Sequence, residues 1–248
     1  MAEQSSIITL KGNVGRLNFY KTKDGFQARE KGGVSKARIM SDPRYARTRE
    51  NLKEFAQAAS GVKLIKNAIR PALVRSSDSK LHYRLQAAVM RVVKSDPLNS
   101  RGERQIAEGN WDFMIDTELN RNASLTQSLK VDFAVSNTAG AFTVAFPAFK
   151  PVDLLNIPEG TTHFRIYAIG ASMEFNTPDR TTVREDSTLL SVSEDAAAFQ
   201  LAIDKSTLTD PHRLFLLGIE YVQQVNGQEY AINSGLFNAA VVLLSERS

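Results

Sequence analysis

The side chains able to do chemistry in this chain are few and far apart. There are three histidines, His82, His163 and His212. No two lie within the three to five residues that would bind one metal ion from one helix or hairpin. A metal site would therefore have to be assembled from three distant elements and carboxylates. Structural or solvated histidine is the plainer reading. The nucleophile pattern G-x-S-x-G is absent. Two adjacent carboxylate pairs, Glu185-Asp186 and Glu194-Asp195, fall in expected turns. With Trp111 as the single tryptophan, the aromatic cleft expected around a two-carboxylate glycosidase is missing. "NTPDRTTVRED", residues 176–186, carries oxygens but also two arginines, without the spacing of a calcium loop. Two glycine-rich stretches remain, "GNVG" at 12–15 and "KGGVSK" at 31–36, and neither has phosphate-loop spacing. Lys31-Gly32-Gly33 before Ser35-Lys36 could cradle a phosphate on backbone N–H groups. The simpler expectation is that these glycines let the chain turn from a hairpin into a helix. With no cysteine, disulfides, thiolate metal sites and cysteine nucleophiles are excluded. The expectation is a non-enzyme with no catalytic residue, cofactor or metal.

Charge is the strongest global signal. The 248 residues sum to +4. Residues 1–110 hold 22 Lys+Arg and 10 Asp+Glu, giving +12, whereas residues 111–248 hold 9 and 17, giving −8. A basic half can face nucleic acid or an anionic surface, or the acidic half of a neighbouring copy. Tyr20, Tyr45 and Tyr83 lie among the cations and could stack on bases. Against this, Arg44, Arg47, Arg49, Lys53, Lys63, Lys66 and Arg70 scatter around a helix instead of forming one stripe. No nucleic-acid-binding signature is present.

The elements that must position these groups follow from hydrophobic period. "IITLKG", "GRLNFYKT" and "FQAREKG" read as strands, and Lys23-Asp24-Gly25 as a hairpin turn that uses positive φ. Ser41-Asp42-Pro43 is a helix start. After it Leu52, Phe55, Ala59, Val62, Ile65, Ile69 and Leu73 recur at helical spacing, with Gly61 a possible bend and Pro71 an end. A second helix follows Ser77-Asp78, its apolar face Leu81, Leu85, Ala88, Val89 and Val92, and stops before Asp96-Pro97. Two helices joined by a short link are expected to pack antiparallel. From Trp111 the period becomes two. "FMIDTELN", "SLKVDFAVS", "GAFTVAFPAF", "THFRIYAIGASMEF", "STLLSVS", "AAFQLAI", "RLFLLGIEYVQQV" and "FNAAVVLLS" read as strands separated by turn residues, with Asn226-Gly227 the clearest two-residue turn.

The expected fold is α+β. A basic hairpin-plus-helices region over 1–109 precedes an antiparallel, Ig-like β-sandwich over 110–248. "FYKTKDGFQAREKGGVS", "RTREN", "EGTTHFRIYA" and "LGIEYVQQVNGQEY…GLFNAA" resemble an uncharacterised protein family common in Bacteroidetes. The resemblance implies the same layout and brings no catalytic residue.

The expected function is structural: head-to-tail self-assembly through a heterologous contact, as in a ring, filament, fibre or particle. Its interface would use Leu17, Phe19 and Phe26 for apolar contact and Lys21, Lys23, Arg29 and Lys31 for charge. Nucleic-acid binding by the basic half is the alternative. No apolar run is long enough to span a membrane. The N-terminus lacks the features of a secretory signal, so a cytoplasmic, phage-particle or non-classically exported protein is expected.

Overall fold

A computed structural model of the chain describes residues 2–3, 10–30 and 32–248. They divide into two compact units, 1–49 and 50–248. The boundary expected at 109/110 falls inside the second unit.

The first unit is built on a four-stranded antiparallel sheet. Its strands are β1 (Ala2–Glu3), β2 (Gly12–Val14), β3 (Leu17–Thr22) and β4 (Gly25–Glu30), in the order β1-β4-β3-β2. The expected hairpin is present: β3 pairs with β4 from Leu17↔Glu30 to Thr22↔Gly25, leaving Lys23-Asp24 as the loop. Positive φ falls on Gly25, at +119°, which a side chain would resist. The Asp24 N–H donates to Thr22 Oγ1 at 3.2 Å, and that hydroxyl donates to the Gly25 carbonyl at 3.2 Å. Much of "IITLKG" lies outside the described residues, as does Lys31.

A short helix, α1 (Lys36–Ser41), follows the glycines and is capped by Ser35, whose Oγ accepts from the Arg38 N–H. Asp42 then caps a 3-10 turn over Pro43–Tyr45, accepting from the Arg44 N–H at 3.0 Å. The Arg49 guanidinium donates to the Ile39 and Asp42 carbonyls at 2.7 and 2.9 Å, so carbonyls left over at the end of α1 find a partner.

The unit boundary lies within α2 (Ala46–Ala68), a continuous helix of 23 residues that Gly61 does not break. It stops one residue before Arg70-Pro71, where α3 (Arg70–Leu73) adds one turn. α4 spans Leu81–Lys94 and buries the expected Leu81, Leu85, Ala88, Val89 and Val92. The expected N-terminal pair of antiparallel helices is not found. Pro71 and a looped segment separate α2 from α4, and both give their apolar faces to one cluster with a β-sheet. Ile65, Ile69, Leu85 and Val89 belong to that cluster together with Tyr167, Ile169, Leu214 and Leu216. The buried stripe of α2 also differs from expectation. Leu52 and Phe55 are 53% and 55% exposed. Glu54, Ala58 and Gly61 are buried along with the expected Val62 and Ile65, and Glu54 and Gly61 are covered by the connector after α4. Its Gly102 N–H donates to Glu54 at 3.0 Å, and a Cβ on Gly61 would lie 2.3 Å from Ile106.

The remaining strands are β5 (Ala134–Asn137), β6 (Ala141–Phe146), β7 (His163–Met173), β8 (Arg180–Asp186), β9 (Leu190–Ser191), β10 (Phe199–Asp204), β11 (His212–Val225), β12 (Gln228–Ala231) and β13 (Ala239–Arg247). Two antiparallel sheets result. One has the order β10-β6-β5. The other runs β12-β11-β7-β8, with β13 also on β11 and β9 on β7. β7 and β11 are buried on both faces, which is why they read as nearly unbroken apolar runs. Successive residues serve opposite sides. Tyr167 and Leu216 face the helices, whereas Ile166 and Phe215 join Phe142, Val144, Leu201 and Ile203 of the smaller sheet. Phe142 stacks on Phe215 with ring centroids 4.6 Å apart. "FMIDTELN" is not a strand: Asn110 caps a 3-10 turn over Trp111–Met114, and only a bridge from Glu118 to Val241 follows.

Candidate assembly interface

In β3 and β4 successive side chains alternate between faces. The register sorts them cleanly. Leu17, Phe19 and Lys21 share a face with Phe26, Ala28 and Glu30 across the hairpin. β2 adds Val14 opposite Leu17. The other face carries Asn13, Asn18, Tyr20, Thr22, Gln27 and Arg29. One side of this sheet therefore carries an apolar row, Val14, Leu17, Phe19, Phe26 and Ala28, with Lys21 and Glu30 at its ends, and the other side is mostly polar. Val14 is 59% exposed and Leu17 44%, and among the described residues of the first unit none is buried.

Of the expected interface residues, Leu17, Phe19 and Phe26 come together on one face. Lys21 joins them, its ammonium 5.4 Å from the Phe26 ring centroid. Lys23 sits exposed in the hairpin loop. Arg29 is on the opposite face, with its guanidinium 5.4 Å from the centroid of Tyr20. Lys31 is outside the described residues. Val14 and Ala28 were missed. Val14 follows from the same alternation once Gly15-Arg16 is recognised as the two-residue turn between β2 and β3, with Gly15 at φ +56°.

The first unit holds 11 Lys+Arg and 4 Asp+Glu, or +7, and the second 20 and 23, or −3, which add back to +4. Within the second unit several cations of the basic half already pair with carboxylates. Lys53 meets Glu103 at 2.5 Å, Arg84 meets Asp78 at 2.7 Å, and Arg75 meets Glu220 at 3.3 Å.

The second unit has two neighbouring clefts that share Asp116 and Glu118 as a common wall. One, of about 630 Å³, is lined by Arg84, Arg91 and Arg121. The other, of about 540 Å³, has an apolar floor that includes Leu129, Val131, Phe133 and Leu243. Asp116 adopts φ +61° and donates its N–H to the Val242 carbonyl at 2.9 Å. Burial pushes the Glu118 carboxyl up to about 7, raised further by Asp116 and opposed by the Leu125 N–H and by Arg84.

The histidines do not converge. His212 is buried, with Nε2 2.9 Å from the Ala107 carbonyl and its ring against Trp111 and Phe175. His163 Nδ1 lies 2.9 Å from Thr162 Oγ1, and His82 is exposed on α4. Among the described residues no group of three or more His, Asp or Glu could hold a metal ion, and no helix is long and apolar enough to cross a membrane. Comparison with family models, with curated proteins and with solved structures finds no match.

Proposed function

We propose that this is a structural protein that assembles head-to-tail, using the apolar face of its N-terminal sheet as a docking element. One observation carries the reading: Val14, Leu17, Phe19, Phe26 and Ala28 form one apolar face in a unit none of whose described residues is buried. A small sheet needs something to cover such a face. The opposite net charges of the two units supply orientation and encounter rate, and the apolar contacts supply strength. A heterologous contact between unlike surfaces generates rings or filaments. We further read the two sheets of the second unit as an Ig-like β-sandwich, a reading supported by the apolar cluster that their facing sides share.

Nucleic-acid binding by the basic half draws less support. Lys53, Arg75, Arg84, Arg101 and Arg104 are each held by a carboxylate of their own chain. Negative-stain electron microscopy of the full chain tests the proposal. Rings or filaments are expected; a field of uniform single-chain particles at every concentration would sink it. A gel shift with generic DNA or RNA that weakens steeply with salt would favour the alternative instead.

A further inference from the structure

We propose that the acidic cleft beside β13 is the receptor for the N-terminal sheet of a second copy. The inference rests on the assembly reading above and names the surface that it lacks. The hairpin presents apolar side chains with Lys21 on the same face and Lys23 in the loop beside it, in a unit whose net charge is +7. Its receptor should combine an apolar floor with a negative rim. The cleft of about 540 Å³ has both. Phe133 and Leu243 are only partly buried at its floor, and the exposed Asp116 and Asp132 outnumber Lys130 at its rim.

Three other clefts of the second unit fit less well. The neighbouring one carries Arg84, Arg91 and Arg121, the wrong sign for a basic hairpin. The one at Lys53 and Glu103 offers Ala56 as its sole apolar side chain beside Gln57 and Ser60. The one at Asn122 and Phe237, about 110 Å³, is too small to take more than one side chain. Asp116 and Glu118 stand between the cationic and the acidic cleft, so the sign of the surface changes across a single short segment. That gives the docking sheet a preferred side.

The absence of cysteine makes the test direct. Two full-length single-cysteine chains, Phe19→Cys and Leu243→Cys, are distinguished by a size tag, mixed and oxidised. The expected result is a mixed disulfide dimer, at least fivefold more abundant than when Val225→Cys, at an exposed position on β11, replaces Leu243→Cys. Separately, Asp132→Lys should weaken assembly of the full chain about tenfold in sedimentation. Equal cross-linking at Leu243→Cys and Val225→Cys, with Asp132→Lys assembling like wild type, would overturn the receptor and leave self-assembly standing. No cross-link from the Phe19→Cys and Leu243→Cys pair, together with a wild-type chain that sediments as a monomer, would overturn both. A chain carrying both cysteines that closes only on itself would overturn docking between copies.

Discussion

Replacing Phe19 by alanine separates assembly from folding. Phe19 lies in the middle of β3, opposite Ala28 on one side and Gly12 on the other, with its ring on the apolar face. It is only partly buried in the chain itself, so truncation removes little from the folded unit. In an assembled state the same ring would be covered. Burying a phenylalanine side chain completely contributes about 1.5–3 kcal/mol. With part of the ring already covered, about 1–2 kcal/mol is lost from the contact, which weakens the association constant about 5- to 30-fold. Tyr20, the next residue, points to the polar face and supplies the control. Sedimentation velocity across a concentration series reads both variants, and circular dichroism checks that both remain folded. The reasoning predicts a shifted assembly curve for Phe19→Ala and a wild-type curve for Tyr20→Ala. Equal curves for the two variants would refute the assignment of the face.

The core offers further tests. Gly218 faces Tyr167 across β11 and β7, and a Cβ there would lie 2.3 Å from the Tyr167 ring. Gly218→Ala should therefore destabilise the second unit by about 1–3 kcal/mol in urea unfolding and disturb the Tyr167–Ser76 hydrogen bond. Glu220 is fully buried, with Arg184 at 2.9 Å and Arg75 at 3.3 Å, and Arg184→Ala should cost about 3 kcal/mol by leaving that carboxylate underpaired. Glu118 titrates near 7 when folded against an ordinary 4.5. The folded state thus holds a proton that the unfolded state releases, and stability falls as pH rises through that window. Glu118→Gln should remove this component, so that its melting temperature gains on wild type above pH 4.5 with the gain complete by about pH 7. A constant difference across that range would contradict the burial argument.

The sequence was most legible where turn chemistry and period agree. Asn226 and Gly227, both at positive φ, form the two-residue turn between β11 and β12. α4 buries the residues that its period selects. α2 follows its hydrophobic period from Val62 onward, where Val62 and Ile65 are buried, and departs from it before that point. Its buried side there uses Ala58 and Gly61, the glycine leaving room for Ile106, while the more apolar Leu52 and Phe55 stay exposed. Nothing local to Glu54 announces that a carboxylate will be buried, since its partner Gly102 arrives from 48 residues away. "FMIDTELN" alternates like a strand, but Asn110 caps a turn at its start and outcompetes the pattern. The apolar face of the hairpin was visible from alternation alone. The acidic cleft was not, because Asp116, Asp132 and Leu243 meet only through the tertiary fold.

Sedimentation of the unmodified chain over a wide concentration range, at low and high salt, tests the central claim most directly. The account predicts a sedimentation coefficient that climbs with concentration and climbs less at high ionic strength, because opposed charges steer the encounter. A single-chain species at every concentration and salt would contradict it.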